Sequence, residues 1–152
     1  MTEVAVIVGG GPGISASCAR LFSNKGMKVA VAARNIGKPA LKKLMEDHSV
    51  KLIACDAADP DSVSSLFDTV RKGLGNPTLV VHNIDGRSAD VFRKRITEVD
   101  PALVQSVIAN STYSAFLVGQ QATRCLMEND IGDNGRGSII FTNASAAIKG
   151  YP

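Results

Sequence analysis

Gly9, Gly10, Gly11 and Gly13 put four glycines into five residues, directly between an apolar run and an amphipathic one. Glycine lets a backbone approach a ligand closely, and the free N–H groups and positive dipole end of a following helix favour an anion. The stretch Val8-Gly9-Gly10-Gly11-Pro12-Gly13-Ile14-Ser15 therefore has the chemistry of a turn that holds a pyrophosphate, with Gly9, Gly11, Pro12, Gly13 and Ile14 as its contacts. A plain strand-to-helix bend would rarely require so many glycines. No Gly-Lys-Ser or Gly-Lys-Thr follows to hold a triphosphate and magnesium, which argues against a phosphate-loop NTPase.

The next apolar run ends Val31-Ala32-Ala33-Arg34-Asn35. A NAD-binding unit usually carries an acidic residue there, to receive the adenosine ribose hydroxyls. Arg34 can instead make charge-assisted hydrogen bonds to a 2′-phosphate, and Lys38 adds a second positive charge. The pattern points to NADP(H) as cofactor ahead of NAD(H).

Elements that could position these residues follow a regular rhythm. Short β-branched runs, Val4 to Val8, Lys28 to Ala33 and Lys51 to Ala54, alternate with helical patterns over Ile14 to Lys25, Lys38 to Asp47 and Pro60 to Lys72. A fourth strand over Thr78 to His82, one long helix from Pro101 to Met127 and a fifth strand over Ser138 to Thr142 complete it. Asp59-Pro60 and Asp100-Pro101 each set an N-cap acceptor before a proline suited to a first helical turn. The expectation is one α/β domain over residues 1–152, a Rossmann-type doubly wound parallel sheet of about five strands in three αβα layers. In the long helix, Leu103, Val104, Val107 and Ile108, then Ala115, Phe116, Val118 and Ala122, form a stripe that reads as core or subunit contact. Residues 128–137 read as a surface loop.

The chain has 152 residues, 45% of them hydrophobic and 20% charged, the balance of a globular domain. Its net charge of +3 is scattered, which disfavours nucleic acid or an anionic membrane as partner. Cys18, Cys55 and Cys125 match no metal-ligand spacing and read as reduced, buried, small apolar residues, with no metal expected. No secretion signal is visible, and the apolar runs are shorter than the roughly 20 residues a bilayer requires. A cytoplasmic location is the expectation.

Taken together, these residues resemble the short-chain dehydrogenase/reductase family over the whole chain. The glycine turn is similar to that family's Thr-Gly-x-x-x-Gly-x-Gly, with Val8 in place of the threonine and Ser15 in place of the last glycine. Cys55-Asp56-Ala57 resembles the family's acidic dipeptide, implying that Asp56, with Ala57 beside it, receives the adenine amino group; a loop-capping aspartate is the alternative. His82-Asn83-Ile84-Asp85-Gly86 resembles the family's Asn-Asn-Ala-Gly, with Asn83 retained at the cofactor and His82 needing only a packing role. Within the long helix, Asn110 matches the family asparagine that supports a proton-relay water, while counting back from Phe116 selects Ser111. In the fifth strand Ser145 is the candidate substrate-orienting hydroxyl, while counting back from Gly150 puts Ala144 at that place.

The resemblance also implies a Tyr-x-x-x-Lys pair shortly beyond Pro152. Tyr113 and Tyr151 do not supply it. We therefore expect a piece of a longer protein, with Ile139 to Phe141 on an open sheet edge and no dehydrogenase turnover by these residues alone. The resemblance further implies hydride transfer on a small carbonyl or alcohol, and homo-oligomers through helix 101–127. A non-catalytic NADP-binding sensor, or a degenerate family member acting through protein contacts, is the competing reading.

Overall fold

The computed structural model describes residues 3–87, 89–133, 135–144 and 148–149. Strands β1 (Val4–Val8), β2 (Lys28–Ala33), β3 (Lys51–Ala54), β4 (Leu79–His82) and β5 (Ser138–Phe141) form one parallel sheet in the order β3-β2-β1-β4-β5. This is the expected doubly wound sheet, and the strand limits agree with the sequence reading to within one residue. Because successive side chains in a strand point to opposite faces, β1 serves two cores at once, and all five of its residues are buried. Val4, Val6 and Val8 pack with Val63, Leu66, Phe67 and Val70 of α3 (Pro60–Gly73) and with Val118 and Ala122 of α6 (Ser114–Met127). Ala5 and Ile7 pack on the other face, with Ala19 of α1 (Ile14–Asn24) and Leu41 and Leu44 of α2 (Pro39–His48).

Both aspartate caps form as expected. Asp59 Oδ1 accepts from the Asp61 N–H at 3.1 Å, opening α3, and Asp100 Oδ1 accepts from the Ala102 N–H at 2.9 Å, opening α5 (Pro101–Ile108). The short helix α4 (Ala89–Arg93) and a 3₁₀ turn at Ile96–Glu98 precede α5 and were not legible as elements.

The expected long helix is not one regular helix. Its middle, Ala109–Tyr113, is a π turn joining α5 to α6. Side-chain hydroxyls serve the carbonyls there: Ser111 Oγ donates to Val107 O at 2.5 Å and Ser114 Oγ to Asn110 O at 2.7 Å. The expected apolar stripe is split at this turn, since one inserted residue rotates the side chains after it by about 100° relative to those before it. Val104, Ile108 and Phe116 are exposed, whereas Leu117, Val118, Ala122, Cys125 and Leu126 face the core. Among the cysteines, Cys55 and Cys125 are buried and Cys18 is only half-buried; all three are free thiols.

The surface segment between α6 and β5 is held by side chains. Asn76 Nδ2 donates to Cys125 O at 2.6 Å and to Asn129 Oδ1 at 2.7 Å, while Asn129 Nδ2 donates to Pro77 O and Arg136 O, both at 2.9 Å. Arg136 in turn donates to the carbonyls of Met127 and Asn129. Among the described residues no helix is long and apolar enough to cross a membrane.

Candidate functional site

The sheet order reverses direction between β1 and β4, and in such sheets the ligand crevice opens at the carboxyl ends of the strands on either side of that switch. Here the carboxyl ends of β1, β2, β3 and β4 border an open cleft of about 300 Å³. Gly9, Arg34, Asp56, Ala57, Asn83 and Asn110 all line it, joined by Gly10, Lys38 and Asp85. Residues separated by as many as a hundred positions in sequence thus share one cavity. Gly11, Pro12, Gly13 and Ile14, which follow the lining residues Gly9 and Gly10 in the chain, are not among its walls, and Ile14 is 57% exposed.

The glycines of the turn differ in what they answer to. Gly9 has φ +105°, and a Cβ on it would lie 2.1 Å from the Asn83 carbonyl oxygen. Gly10 is hemmed in by β2, with Val31 Cγ1 at 2.9 Å from such a Cβ. Both donate their N–H to Ala32 O, at 3.0 and 2.8 Å, which staples the turn to β2. A Cβ at Gly11 or Gly13 would meet nothing within 4 Å. Gly13 caps α1 without any side-chain hydrogen bond, and the first N–H groups of a helix have no intrahelical partner, so the start of α1 offers donors and open space together. A turn in which Gly9 and Gly10 exclude a Cβ while Gly11 and Gly13 face open space fits the diphosphate of a dinucleotide.

Arg34, exposed just after β2, and Lys38, the N-cap residue of α2, give their end of the cleft two cations. Asp56 Oδ1 accepts from the Ala58 N–H at 3.0 Å, so one oxygen of this carboxylate caps its own loop. Asp85, at the lip, is paired with Arg87 through 2.7 Å contacts from both Nε and Nη2, and these hydrogen bonds hold its carboxyl below the usual range. The pair offsets a negative charge that would otherwise face an incoming anion.

Asn83 is fully engaged: Nδ2 donates to Ser15 Oγ at 2.6 Å, and Oδ1 accepts from Thr142 Oγ1 at 2.9 Å. Asn110 sits on the π turn, and its Nδ2 donates to Ser106 O at 2.8 Å, within its own helix. Ser111, the competing position, is likewise tied to its helix and is absent from the cleft walls. His82 is 4% exposed, packs against the Phe141 ring and contacts Ser114 Oγ at 2.9 Å through Nε2. Burial lowers its pKa, so it is a neutral packed histidine, as its lone place at a strand end suggested. Ser145 and Tyr151 lie outside the described residues. Sequence reasoning missed Ser15, Ser114 and Thr142, three hydroxyls whose partners lie on other elements; the serine standing in place of a motif glycine was the one available signal.

A family model described as enoyl-(acyl carrier protein) reductase matches residues 9–152. The human 3-oxoacyl-[acyl-carrier-protein] reductase is 31% identical over 152 residues, covering 99% of this chain and 60% of that protein. Versicolorin reductase of Emericella nidulans is 30% identical over 155 residues, covering 99% of this chain and 54% of the relative. The chain thus spans between half and three-fifths of these relatives' length. In fold it is similar to a short-chain dehydrogenase/reductase from Serratia marcescens, with a TM-score of 0.81 at 22% identity, covering 97% of this chain and 57% of the other. It is similar also to an actinorhodin polyketide ketoreductase solved with NADPH, with a TM-score of 0.81 at 23% identity over 99% of this chain and 56% of that one. With a match over nearly all its residues, a reversed parallel sheet and a glycine turn at the switch point, this chain belongs to the short-chain dehydrogenase/reductase family.

Proposed function

We propose that this chain forms the NADP(H)-holding part of an oxidoreductase that interconverts a small carbonyl and an alcohol. One observation carries the reading: a glycine turn with an open helix start borders a cleft that also holds Arg34 and Lys38, with no carboxylate directly after β2. Membership in an oxidoreductase family agrees with it.

In this reading the backbone of Gly11, Pro12, Gly13 and Ile14 receives the diphosphate at the start of α1. Arg34 and Lys38 bind the 2′-phosphate, the second oxygen of Asp56 accepts from the adenine amino group beside Ala57, and Asn83 holds the floor of the turn. The bound cofactor supplies or accepts the hydride. Asn110 supports the water of a proton path and Ser145 orients the substrate oxygen. The tyrosine–lysine pair that would pass the proton is not among these 152 residues, so these residues alone should give no turnover. A cytoplasmic protein and assembly through the 101–127 region complete the reading.

The test is a titration of the protein with NADPH and NADH. Arg34→Asp removes a charged hydrogen bond and adds repulsion, and should weaken NADPH binding by about a hundredfold while moving NADH by less than about threefold. Equal losses for the two cofactors would overturn the role of Arg34. NADPH binding by the full-length protein without consumption against any member of a carbonyl panel would overturn the enzymatic part.

A further inference from the structure

Three hydrogen bonds run in one direction through Asn83 to Gly9, both of which line the cleft. Thr142 Oγ1 donates to Asn83 Oδ1 at 2.9 Å, Asn83 Nδ2 donates to Ser15 Oγ at 2.6 Å, and Ser15 Oγ donates to Gly9 O at 2.7 Å. Ser15 has one proton and gives it to Gly9 O, so it must accept from Asn83, which sets the Asn83 amide with Oδ1 toward Thr142; Thr142 Oγ1 also lies 3.3 Å from His82 O, the longer of its two contacts. The path starts just past β5, crosses the end of β4, enters α1 and finishes on the first carbonyl of the glycine turn. Ser15 is fully buried, and Asn83 and Thr142 are half-buried, so each bond is shielded from competing water.

Its last link has an electrostatic consequence. A glycine at φ +105° with a free carbonyl could swing that oxygen in several directions, and an acceptor turned toward a diphosphate would repel it. Ser15 ties the oxygen to a buried hydroxyl instead, so the turn offers its donors to the cleft. Ser15 can do this only while Asn83 holds it from the other side, and Asn83 is held in turn by Thr142. Backbone bonds continue alongside: the Asn83 N–H donates to Val8 O at 2.8 Å and the Thr142 N–H to His82 O at 3.1 Å.

We propose that Ser15 and Thr142 are positioning residues of the dinucleotide site, acting through Asn83 to hold the Gly9 carbonyl out of the cleft. The inference rests on the dinucleotide reading above and adds a dependence that no ligand contact would show: a hydroxyl beyond β5 sets the affinity of a turn after β1.

The experiment is NADPH titration of the purified protein, by calorimetry, with thermal midpoints measured on the same samples. Thr142→Val keeps the shape and removes the donor, and should weaken NADPH binding about tenfold, or about 1.4 kcal/mol. Thr142→Ser keeps the hydroxyl and should bind within about twofold of the parent. Ser15→Ala should also lose about tenfold, and the Ser15→Ala/Thr142→Val double variant should lose much less than the product of the two, since both cut one chain. Unchanged binding by Thr142→Val, Thr142→Ser as weak as Thr142→Val, or losses that simply multiply would each overturn the proposal. If Ser15→Ala does not fold, the two Thr142 variants decide the matter alone. Should the parent protein bind no nicotinamide dinucleotide, it is the dinucleotide reading that fails.

Discussion

A Cβ at Gly9 would stand 2.1 Å from the Asn83 carbonyl oxygen, whereas one at Gly11 would meet nothing within 4 Å. Two residues of one motif therefore differ: glycine at the first is imposed by the fold, and glycine at the second is not. Gly9→Ala should lower the thermal midpoint by about 5 °C or more, because positive φ and backbone overlap add to well over 1 kcal/mol. Gly11→Ala should leave stability within about 0.5 kcal/mol while reducing NADPH affinity severalfold. Scanning calorimetry and titration on the two variants check the pair, and a stable Gly9→Ala protein would refute the steric argument. At this scale the sequence made the motif legible but not its support. Spacing marks four glycines within five residues, while Ser15, Asn83 and Thr142 meet only after 59 to 68 residues of chain have folded back.

The elements were read from period and from caps, and both are local signals. β-branched runs between turns gave the strands, and Asp-Pro pairs gave the starts of α3 and α5. The π turn shows no period or cap of its own, and one of its neighbouring contacts is tertiary. Ser114 gives its proton to Asn110 O, and His82 Nε2 on β4 sits 2.9 Å from the Ser114 oxygen, supplying the N–H that it can still accept. This junction gives stability a pH dependence. Burial holds the folded pKa of His82 below its ordinary value near 6.5, so the unfolded chain takes up the proton first as pH falls. The contribution of His82 is fully present above about pH 6.5 and is lost progressively below it. Thermal midpoints between pH 7.5 and 5 should fall in the parent and fall less in His82→Asn, which retains a donor for Ser114. A parallel decline in both proteins would remove His82 as the cause.

For the whole molecule, the burial pattern leaves one side of the α5–α6 helix apolar and uncovered. Val104, Ile108 and Phe116 are 40%, 53% and 60% exposed. They belong to the stripe that reads as core or subunit contact, and since none of the described residues covers them, we propose that they meet a second subunit. Light scattering on the full-length protein should find a dimer or larger species, and Phe116→Asp should shift it toward monomer with unchanged circular dichroism. A monomeric parent would end this idea. The distribution of Asn76, Asn129 and Arg136 has another bearing. These three side chains stitch together the approach to β4, the last turn of α6 and the approach to β5. None of those segments can loosen without surrendering bonds held by the other two, so amide hydrogens in all three should exchange with solvent as a single cooperative unit. Because β5 is anchored at its base by that unit, the fluctuations reaching Thr142 are those of the whole patch rather than of a lone edge strand.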